Sequence, residues 1–184
     1  MDRHGAHGQR GTAEVMDITY TTTNGRFNVR AVGLLLRGNK LLVMKDECSA
    51  YFYVPGGRVA FGEPSETAIR REIREELGID VEVQRLLWTV ESFFVEDRTQ
   101  QPFHELAFYY LLRLPAEDSL GQGESFERTD SEGQRLRFWW KDIQDVQDAY
   151  FYPLFLKHRL NQLPANVEHL VDVKGSNPLP DDGS

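Results

Sequence analysis

The sequence predicts one α/β domain whose helices pack on a mixed β-sheet. Runs rich in β-branched and aromatic residues recur between turn signals, and one segment repeats its apolar residues with a helical period. With 184 residues, 40% of them hydrophobic, the chain is long enough to bury one core. We expect residues 16–173 to form this domain. Residues 1–15 and 174–184 are expected to be a disordered leader and a flexible tail, because they contain few apolar side chains.

Several segments have the composition of β-strands, and turn residues separate them. Asn24-Gly25 is a strong signal for a tight hairpin. The sequence at 54–57, Val-Pro-Gly-Gly, is expected to end the aromatic strand before it. The acidic segment 115–133 is expected to be a long loop that borders the site. The predicted strands are residues 18–23, 27–36, 41–44, 81–95, 103–114 and 135–140.

Three segments are predicted to be helices. The first spans roughly 64–77, because Pro64 suits a first helical turn and Gly78 suits the position just past a helix end. On a helical wheel, Ile69, Ile73 and Leu77 form the stripe that we expect to be buried. The other two predicted helices are residues 141–149 and 152–163.

Composition limits the partners. The formal net charge is −8, with 29 acidic against 21 basic residues, which argues against a surface for nucleic-acid polymers. A small phosphorylated ligand is compatible with this charge if carboxylates bind a divalent cation. Cys48 is the only cysteine, so no intramolecular disulfide forms, and we expect a reducing compartment such as the cytoplasm. The longest apolar run, residues 31–36, is too short to span a bilayer, so we expect no membrane partner.

The most informative segment runs from residue 57 to 79, because its helix carries a surplus of carboxylates. Glu72, Glu75 and Glu76 stand at i, i+3 and i+4, which places three like charges side by side. Each like-charge pair at i, i+4 costs roughly 0.2–0.5 kcal/mol. A bound Mg²⁺ would offset this cost, since it prefers carboxylate and phosphate oxygens. The alternative is a purely structural acidic helix, the usual interpretation of a charged run.

This segment resembles the Nudix box, G-x5-E-x7-R-E-U-x-E-E-x-G-U, in which U is an aliphatic residue. The specified positions are all filled, by Gly57, Glu63, Arg71, Glu72, Ile73, Glu75, Glu76, Gly78 and Ile79. The flanking segments are similar to the Nudix α/β/α sandwich around a mixed β-sheet. The resemblance implies a hydrolase that cuts a diphosphate bond in a nucleoside diphosphate linked to another moiety, for example a nucleoside triphosphate or a nucleotide sugar. It also implies Mg²⁺ as the cofactor, with Mn²⁺ as a substitute.

The resemblance implies a role for each carboxylate of the helix. Glu75 and Glu76 are expected to be the principal metal ligands. Glu72 is expected to be a further ligand or the group that receives the proton of the attacking water. Gly57 is expected to add its carbonyl oxygen as a ligand.

The remaining box positions are expected to support these ligands. Arg71 would take part in catalysis by orienting the acids through charge-assisted hydrogen bonds. The alternative for Arg71 is an ordinary surface pair at i, i+4. Glu63 is expected to steady the junction between loop and helix, and Gly57 and Gly78 are structural positions of the box.

Nudix enzymes often use one further acid outside the box, and our candidate for this catalytic group and metal ligand is Glu132. It precedes the predicted strand 135–140, a placement that resembles the late acid of the nucleotide-sanitising branch. Glu124 is the second candidate, and the alternative for both is a simple loop charge. Glu105 could instead face the pocket from a strand edge.

Four residues are candidates for substrate binding: Tyr53, Phe94, His104 and Tyr152. Aromatic rings can stack on a nucleobase, although aromatic residues in strands are more often part of the core. His104 is also weighed as a catalytic base, against a structural role. The proline that marks the ADP-ribose branch is absent, and no residue specifies the base, so the substrate stays open.

A second class of function is a catalytically silent Nudix fold that senses nucleotides or binds a partner protein. The intact set of Glu72, Glu75 and Glu76 argues against it. The expected partner is a small nucleotide. A homodimer that uses residues 18–23 as its contact is a further expectation, and the alternative is that these residues only extend the sheet.

Overall fold

The computed structural model describes residues 16–96, 99–115, 120, 123–131 and 133–173. The predicted leader, the predicted tail and Glu132 lie outside these ranges. The described residues form the strands β1 (Thr19–Thr22), β2 (Gly25–Arg37), β3 (Lys40–Asp46), β4 (Gly56–Arg58), β5 (Glu82–Val95), β6 (Pro102–Arg113), β7 (Ser125–Thr129), β8 (Arg135–Asp142) and β9 (Glu168–Val173). The helices are α1 (Ser65–Leu77), α2 (Ile143–Asp148) and α3 (Leu154–Arg159). Within the described ranges, no helix is both long and apolar enough to cross a membrane.

The strands form one mixed sheet in the order β7-β8-β3-β2-β6-β5-β9, and β1 and β4 also pair with β2. β2 runs parallel to β6 and β5 runs parallel to β9, whereas the other pairings are antiparallel. The predicted hairpin at Asn24-Gly25 joins β1 to β2, with Thr22 opposite Gly25. The segment at 18–23 therefore extends the sheet, as one of the two alternatives predicted, and its use in a dimer stays a prediction.

Alternation along the central strands divides the core into two parts. Ala31 and Leu35 of β2 pack in the part that also contains Ile69, Ile73 and Leu77 of α1. Val32 and Leu34 of β2 pack in the other part, with Ile143 and Val146 of α2 and Leu156 of α3. Helices thus cover both faces of a mixed sheet, which confirms the predicted α/β/α sandwich.

The prediction that residues 115–133 are all loop is wrong for Ser125–Thr129, which forms β7. Its side chains alternate in burial along the strand. The ring of Phe126 stacks on that of Phe138 in β8, with 5.2 Å between the ring centroids. One apolar side chain in a polar segment was too little signal to predict a strand, but it suffices when an aromatic partner lies opposite it.

The C-terminal third differs from prediction in three respects. Lys141 and Asp142 belong to β8, so α2 begins only at Ile143. The last predicted helix is shorter, because Pro153 is extended and α3 spans Leu154–Arg159. Strand β9 was missed. It is an edge strand with alternating burial that runs parallel to β5.

Candidate active site

Helix α1 is delimited by the two residues that the sequence indicated. Pro64 is extended (φ −62°, ψ 141°) just before Ser65, so it precedes the helix rather than opening it. Gly78 has φ 71°, a left-handed conformation that glycine adopts without strain, and its N–H donates to the carbonyl of Arg74. Ile69 and Ile73 are buried, so the charged residues lie on the other side of the helix.

Arg71 holds the acids of this segment together. Its Nε and Nη2 donate to the two oxygens of Glu63, each at 3.0 Å. Its Nη1 donates to Glu72 at 2.8 Å and to Glu75 at 3.2 Å, and Nη2 also donates to the carbonyl of Arg58 at 2.9 Å. The hydrogen bond from Arg71 lowers the pKa of Glu63, and the same bond raises the pKa of Arg71 above its usual range.

Glu63 connects the loop before the helix to this cluster. Besides the paired contact with Arg71, Oε2 of Glu63 accepts the N–H of Ala60 at 3.1 Å. Its side chain is only 14% exposed, so these bonds are shielded from water. This geometry fits the predicted role of Glu63 at the junction.

Gly57 lies directly against the carboxyl group of Glu72. A Cβ atom built on Gly57 would meet the carboxyl carbon and an oxygen of Glu72 at 2.2 Å. Burial raises the pKa of Glu72, and the nearby charge of Arg71 opposes this shift. Any side chain at position 57 would therefore displace a candidate metal ligand.

Glu76 is a half-buried carboxylate of the helix. It accepts the N–H of Gly56 at 3.2 Å. Burial raises the pKa of Glu76 to about 8, and the charge of Glu72 adds to the shift, while Arg30 opposes it and Asp130 adds a smaller increase. A buried acid among other acids is poised either to hold a proton or to bind a cation.

Glu76 lies at the wall of a cleft of about 690 Å³. The cleft contains acidic groups at Asp46, Glu76, Glu96, Glu105 and Asp130, and the basic group of Arg30. Aromatic groups come from Tyr51, Tyr53, Phe94, Tyr109 and Tyr152. A second cavity, of about 550 Å³, lies at the C-terminal end of α1 and contains Glu75, Glu76 and Asp130. Acidic groups and aromatic rings thus line one cleft, a suitable size for a nucleotide.

A model of the NUDIX domain family matches residues 27–158, more than half of the chain. The chain belongs to the Nudix hydrolase family. This region includes the box and its loop, and the strands β2 to β8 that surround the cleft.

Three relatives match parts of the chain, and one of them is named as a Nudix hydrolase. YvcI of Bacillus subtilis (strain 168), an uncharacterized Nudix hydrolase, is 27% identical over 120 residues, which cover 65% of this chain and 69% of YvcI. The ADP-ribose pyrophosphatase of Methanocaldococcus jannaschii is 32% identical over 103 residues, 52% of this chain and 59% of that protein. YjhB of Bacillus subtilis (strain 168) is 32% identical over 94 residues, 50% of this chain. The matched region spans only 42% of YjhB.

Solved structures share the Nudix fold at low sequence identity. An ADP-ribose pyrophosphatase from Streptococcus suis 89-1591 superposes with a TM-score of 0.50 and 16% identity, covering 79% of this chain and 98% of that one. A MutT protein from Bacillus halodurans has a TM-score of 0.52 and 14% identity, covering 78% of this chain and 89% of that one. At these identities the likeness concerns the fold alone.

Nudix hydrolases generally use divalent metal ions, and the donors on α1 suit one. Carboxylate oxygens of Glu72, Glu75 and Glu76 are the ligands that Mg²⁺ prefers, and the charge of Glu72 raises the pKa of Glu76, a repulsion that a cation would relieve. Among the described residues, no three acidic, histidine or cysteine side chains already converge as a metal site. Glu72 and Glu75 are instead hydrogen-bonded to Arg71, so they would have to turn to bind a metal together with Glu76.

Three of the four predicted substrate-binding residues line the Nudix cleft, namely Tyr53, Phe94 and Tyr152. His104 does not. It is exposed on β6 next to Phe93, with ring centroids 4.4 Å apart, and its neighbour Glu105 lines the cleft. Successive residues of a strand point to opposite faces, so Glu105 and His104 cannot both face the cleft. We therefore exclude His104 from the proposed site.

The structure adds Asp130 to the candidate acids. Asp130 follows β7, lines both cavities beside Glu76, and its Oδ1 accepts the N–H of Gln134 at 2.8 Å. Glu124 is exposed and lies outside the cleft lining, and Glu132 is not among the described residues. Sequence reasoning missed Asp130 because the strand β7 that presents it was not predicted.

Arg30 is a second residue that the sequence analysis missed. It lies in β2, between the buried residues Asn28 and Val32, and it lines the cleft. A signal was available, because a charged residue inside an otherwise buried strand needs a partner or a ligand.

Proposed function

We propose that this protein is a Mg²⁺-dependent Nudix diphosphatase that hydrolyses a diphosphate bond in a nucleoside diphosphate linked to another moiety. The observation that carries the proposal is the position of Glu76. It belongs to a complete Nudix box and lies half-buried at the wall of a cleft large enough for a nucleotide. Membership of the family supports hydrolysis of a pyrophosphate bond in general. The metal, the substrate class and the residue roles below are our proposal.

The box residues have distinct tasks in this proposal. Glu75, Glu76 and the carbonyl of Gly57 would hold the metal, with Glu72 either as a further ligand or as the acceptor of the water's proton, and Mn²⁺ could replace Mg²⁺. When bound, the metal supplies positive charge that offsets the charge developing on the phosphates. Arg71 keeps Glu72 and Glu75 oriented through its hydrogen bonds.

The reaction breaks one bond and forms one bond. The oxygen of water attacks a phosphorus atom, and the bond from that phosphorus to the bridging oxygen breaks. The bridging oxygen leaves with the second phosphate, and a carboxylate of α1 takes the proton of the water. Glu72 is our candidate for this acceptor if it is not itself a metal ligand, since it lies half-buried against Gly57.

The substrate class follows from the shape of the cleft and from relatives. Tyr53, Phe94 and Tyr152 offer rings that can contact a base, next to the acids that attend the diphosphate. A nucleoside triphosphate and a nucleotide sugar both satisfy this description. ADP-ribose belongs in any test, because the relative from Methanocaldococcus jannaschii is an ADP-ribose pyrophosphatase.

The experiment is a panel of nucleoside triphosphates, nucleotide sugars and ADP-ribose, assayed for released phosphate, pyrophosphate and nucleoside monophosphate. We expect turnover with Mg²⁺ and none with excess chelator. Glu76→Gln should lower kcat at least about 100-fold, since it removes a carboxylate of the proposed metal site. Glu66→Gln is the matched control, because Glu66 lies on the same helix in an exposed pair with Arg70. Tight nucleotide binding without turnover across the panel would refute the enzyme and favour the nucleotide sensor.

A further inference from the structure

The charged side chains in the described lining of the cleft are mostly acidic, although the proposed substrate carries a negatively charged diphosphate. Among its described lining residues, Arg30 is the only basic one, against acidic side chains at Asp46, Glu76, Glu96, Glu105 and Asp130. A diphosphate adds further negative charge, which such a surface repels. Metal bound at the helix would offset part of that charge, and the remaining positive charge that the described lining itself offers is the guanidinium of Arg30.

Arg30 is held at a defined position relative to Glu76. Its Nη2 donates to the carbonyl of Gly56 at 2.8 Å, and the N–H of the same glycine donates to Glu76 at 3.2 Å. Gly56 has φ 143°, and a Cβ there would lie 2.4 Å from the carbonyl oxygen of Ala31. One glycine, pressed against β2, therefore fixes the cation and the carboxylate on either side of it.

The guanidinium keeps donors for a ligand. Arg30 Nε lies 3.9 Å from Oε2 of Glu105, which is an ion pair but is longer than a hydrogen bond. The side chain of Arg30 is 30% exposed, and it lines the cleft. Glu105 thus neutralises part of the charge while it leaves N–H groups of the guanidinium available.

We infer that Arg30 binds phosphate oxygens of the substrate and sets the position of the diphosphate beside Glu76. A guanidinium suits this task because its planar fork of N–H groups matches two phosphate oxygens at once. The inference rests on the proposed function, since it names the group that would recognise the substrate of that site. Arg30 would thereby separate nucleotides with a diphosphate from nucleosides of the same base.

The test measures binding rather than turnover. The probe is α,β-methylene ADP, whose bridging carbon resists hydrolysis, titrated calorimetrically in the presence of Mg²⁺. We expect Arg30→Gln to weaken binding about 10- to 100-fold, the usual effect of losing a charge-assisted contact. Arg30→Lys keeps the positive charge but lacks the planar fork of N–H groups, so its affinity should lie between that of the parent and that of Arg30→Gln. Arg70→Gln is the control, because Arg70 pairs with Glu66 on the helix surface.

Adenosine binding distinguishes a loss of phosphate recognition from a structural effect, and thermal unfolding shows whether each variant is folded. Arg30→Gln and Arg30→Lys should keep the adenosine affinity of the parent, because adenosine carries no phosphate. If Arg30→Gln does not fold, Arg30→Lys carries the test. The inference is overturned if the parent does not bind the analogue, if the folded variants bind it like the parent, or if adenosine affinity falls equally.

Failure of this inference differs from failure of the proposed function. If no substrate is turned over but analogue binding depends on Arg30, the proposed activity is refuted and the inference stands. If Glu76→Gln abolishes turnover but analogue binding does not depend on Arg30, only the inference is refuted.

Discussion

The backbone of Gly57 lies against the carboxyl group of Glu72, and no room is left for a side-chain atom on Gly57. A Cβ on Gly57 would lie 2.2 Å from the carboxyl carbon of Glu72, closer than any real contact of that kind. The side chain of Glu72 is 14% exposed and is hydrogen-bonded to Arg71, so a methyl group at position 57 would compete with its carboxyl group for the same space. Packing of the Glu72 carboxyl group therefore requires a glycine at position 57, fifteen positions earlier in the chain.

We expect Gly57→Ala to lower kcat by about 100-fold or more, because a displacement of about 1 Å at a reacting group can cost that much. The measurement is steady-state kinetics on the best substrate of the panel. Gly123→Ala is the control, since among the described residues a Cβ there meets only one atom, a backbone oxygen at 3.7 Å. Full activity in Gly57→Ala would show that a methyl group at position 57 does not disturb the position that Glu72 takes in the reaction.

We expect Arg71→Lys to lower metal affinity and kcat about 10- to 100-fold, the range typical of losing a residue that orients metal ligands. A lysine cannot reproduce the paired contact with Glu63 together with the bonds to Glu72 and Glu75. Metal titration of activity measures the effect. Arg70→Lys, which changes an exposed pair with Glu66, should be close to the parent. Unchanged metal dependence in the Arg71→Lys variant would mean that the pairing is only a surface contact.

Helix α1 was largely predictable, since its limits and buried stripe depend on local signals. Proline before it, glycine after it, and apolar residues every three to four positions are visible in the sequence. What the sequence did not reveal was which acids lie deep. Burial of Glu76 depends on Gly56 and the sheet behind it, and such tertiary contacts leave no local pattern.

Asp130 and Glu132 are two candidates for the catalytic acid outside the box, and mutation can distinguish them. Asp130 lines both cavities beside Glu76, so we expect Asp130→Asn to lower metal-dependent kcat at least about tenfold. Comparison of Asp130→Asn with Glu132→Gln under identical metal titration measures the effect of each acid. Glu124→Gln is the control, because Glu124 is exposed and outside the cleft lining. A large effect of Glu132→Gln with none for Asp130→Asn would restore the original candidate.

Aromatic residues of the cleft should act on substrate binding. We expect Phe94→Ala and Tyr152→Ala each to raise KM about tenfold, since a stacked base contributes about 1–3 kcal/mol. The value of kcat should change little if the rings contact only the base. Phe61→Ala is the control, because Phe61 is 76% exposed and does not line the cleft. Unchanged KM in both variants would place these rings in the core rather than in recognition.

The loop that follows β3 should show a pH-dependent contribution to stability. Burial raises the pKa of Asp46, but hydrogen bonds from Ser49, Tyr53 and the backbone N–H groups of Cys48 and Ser49 outweigh it, so that the pKa lies below its usual value of 3.8. A lowered pKa in the folded state means that ionised Asp46 stabilises the fold above the unfolded-state pKa. This contribution is lost as the pH falls through the folded-state pKa.

We therefore expect Asp46→Ala to lower the free energy of unfolding near pH 7 by on the order of 1 kcal/mol, after allowance for partial exposure. The Tm should fall accordingly. The difference from the parent should shrink as the pH falls below about 4. Thermal unfolding from pH 7 to 3 is the measurement, and Asp148→Ala, at an exposed position, is the control. A Tm difference that stays constant over this range would contradict the assigned hydrogen bonds.

The features that the sequence analysis could not establish share a physical cause. His104 and Glu105 are neighbours, and choosing between them required the phase of β6 relative to the cleft, which is set by pairing with β2 and β5. Strand β9 depends likewise on a partner distant in the chain, and so does the position of Asp130 beside Glu76 in the lining of both cavities. The box itself is contiguous, so its residues could be named from the sequence.

Strand β2 pairs with β6 along ten consecutive positions on one edge, and with β1, β4 and β3 in succession on the other. Its backbone amides should therefore be among the slowest in the chain to exchange with solvent deuterium. Arg30 belongs to this strand, whereas Phe94 lies near the end of β5 and Tyr152 lies just before α3. The part of the cleft beside the carboxylates is thus expected to have a rigid backbone, and the part beside Phe94 and Tyr152 a more mobile one. A change of preferred base can then arise at one end without altering the geometry of the other.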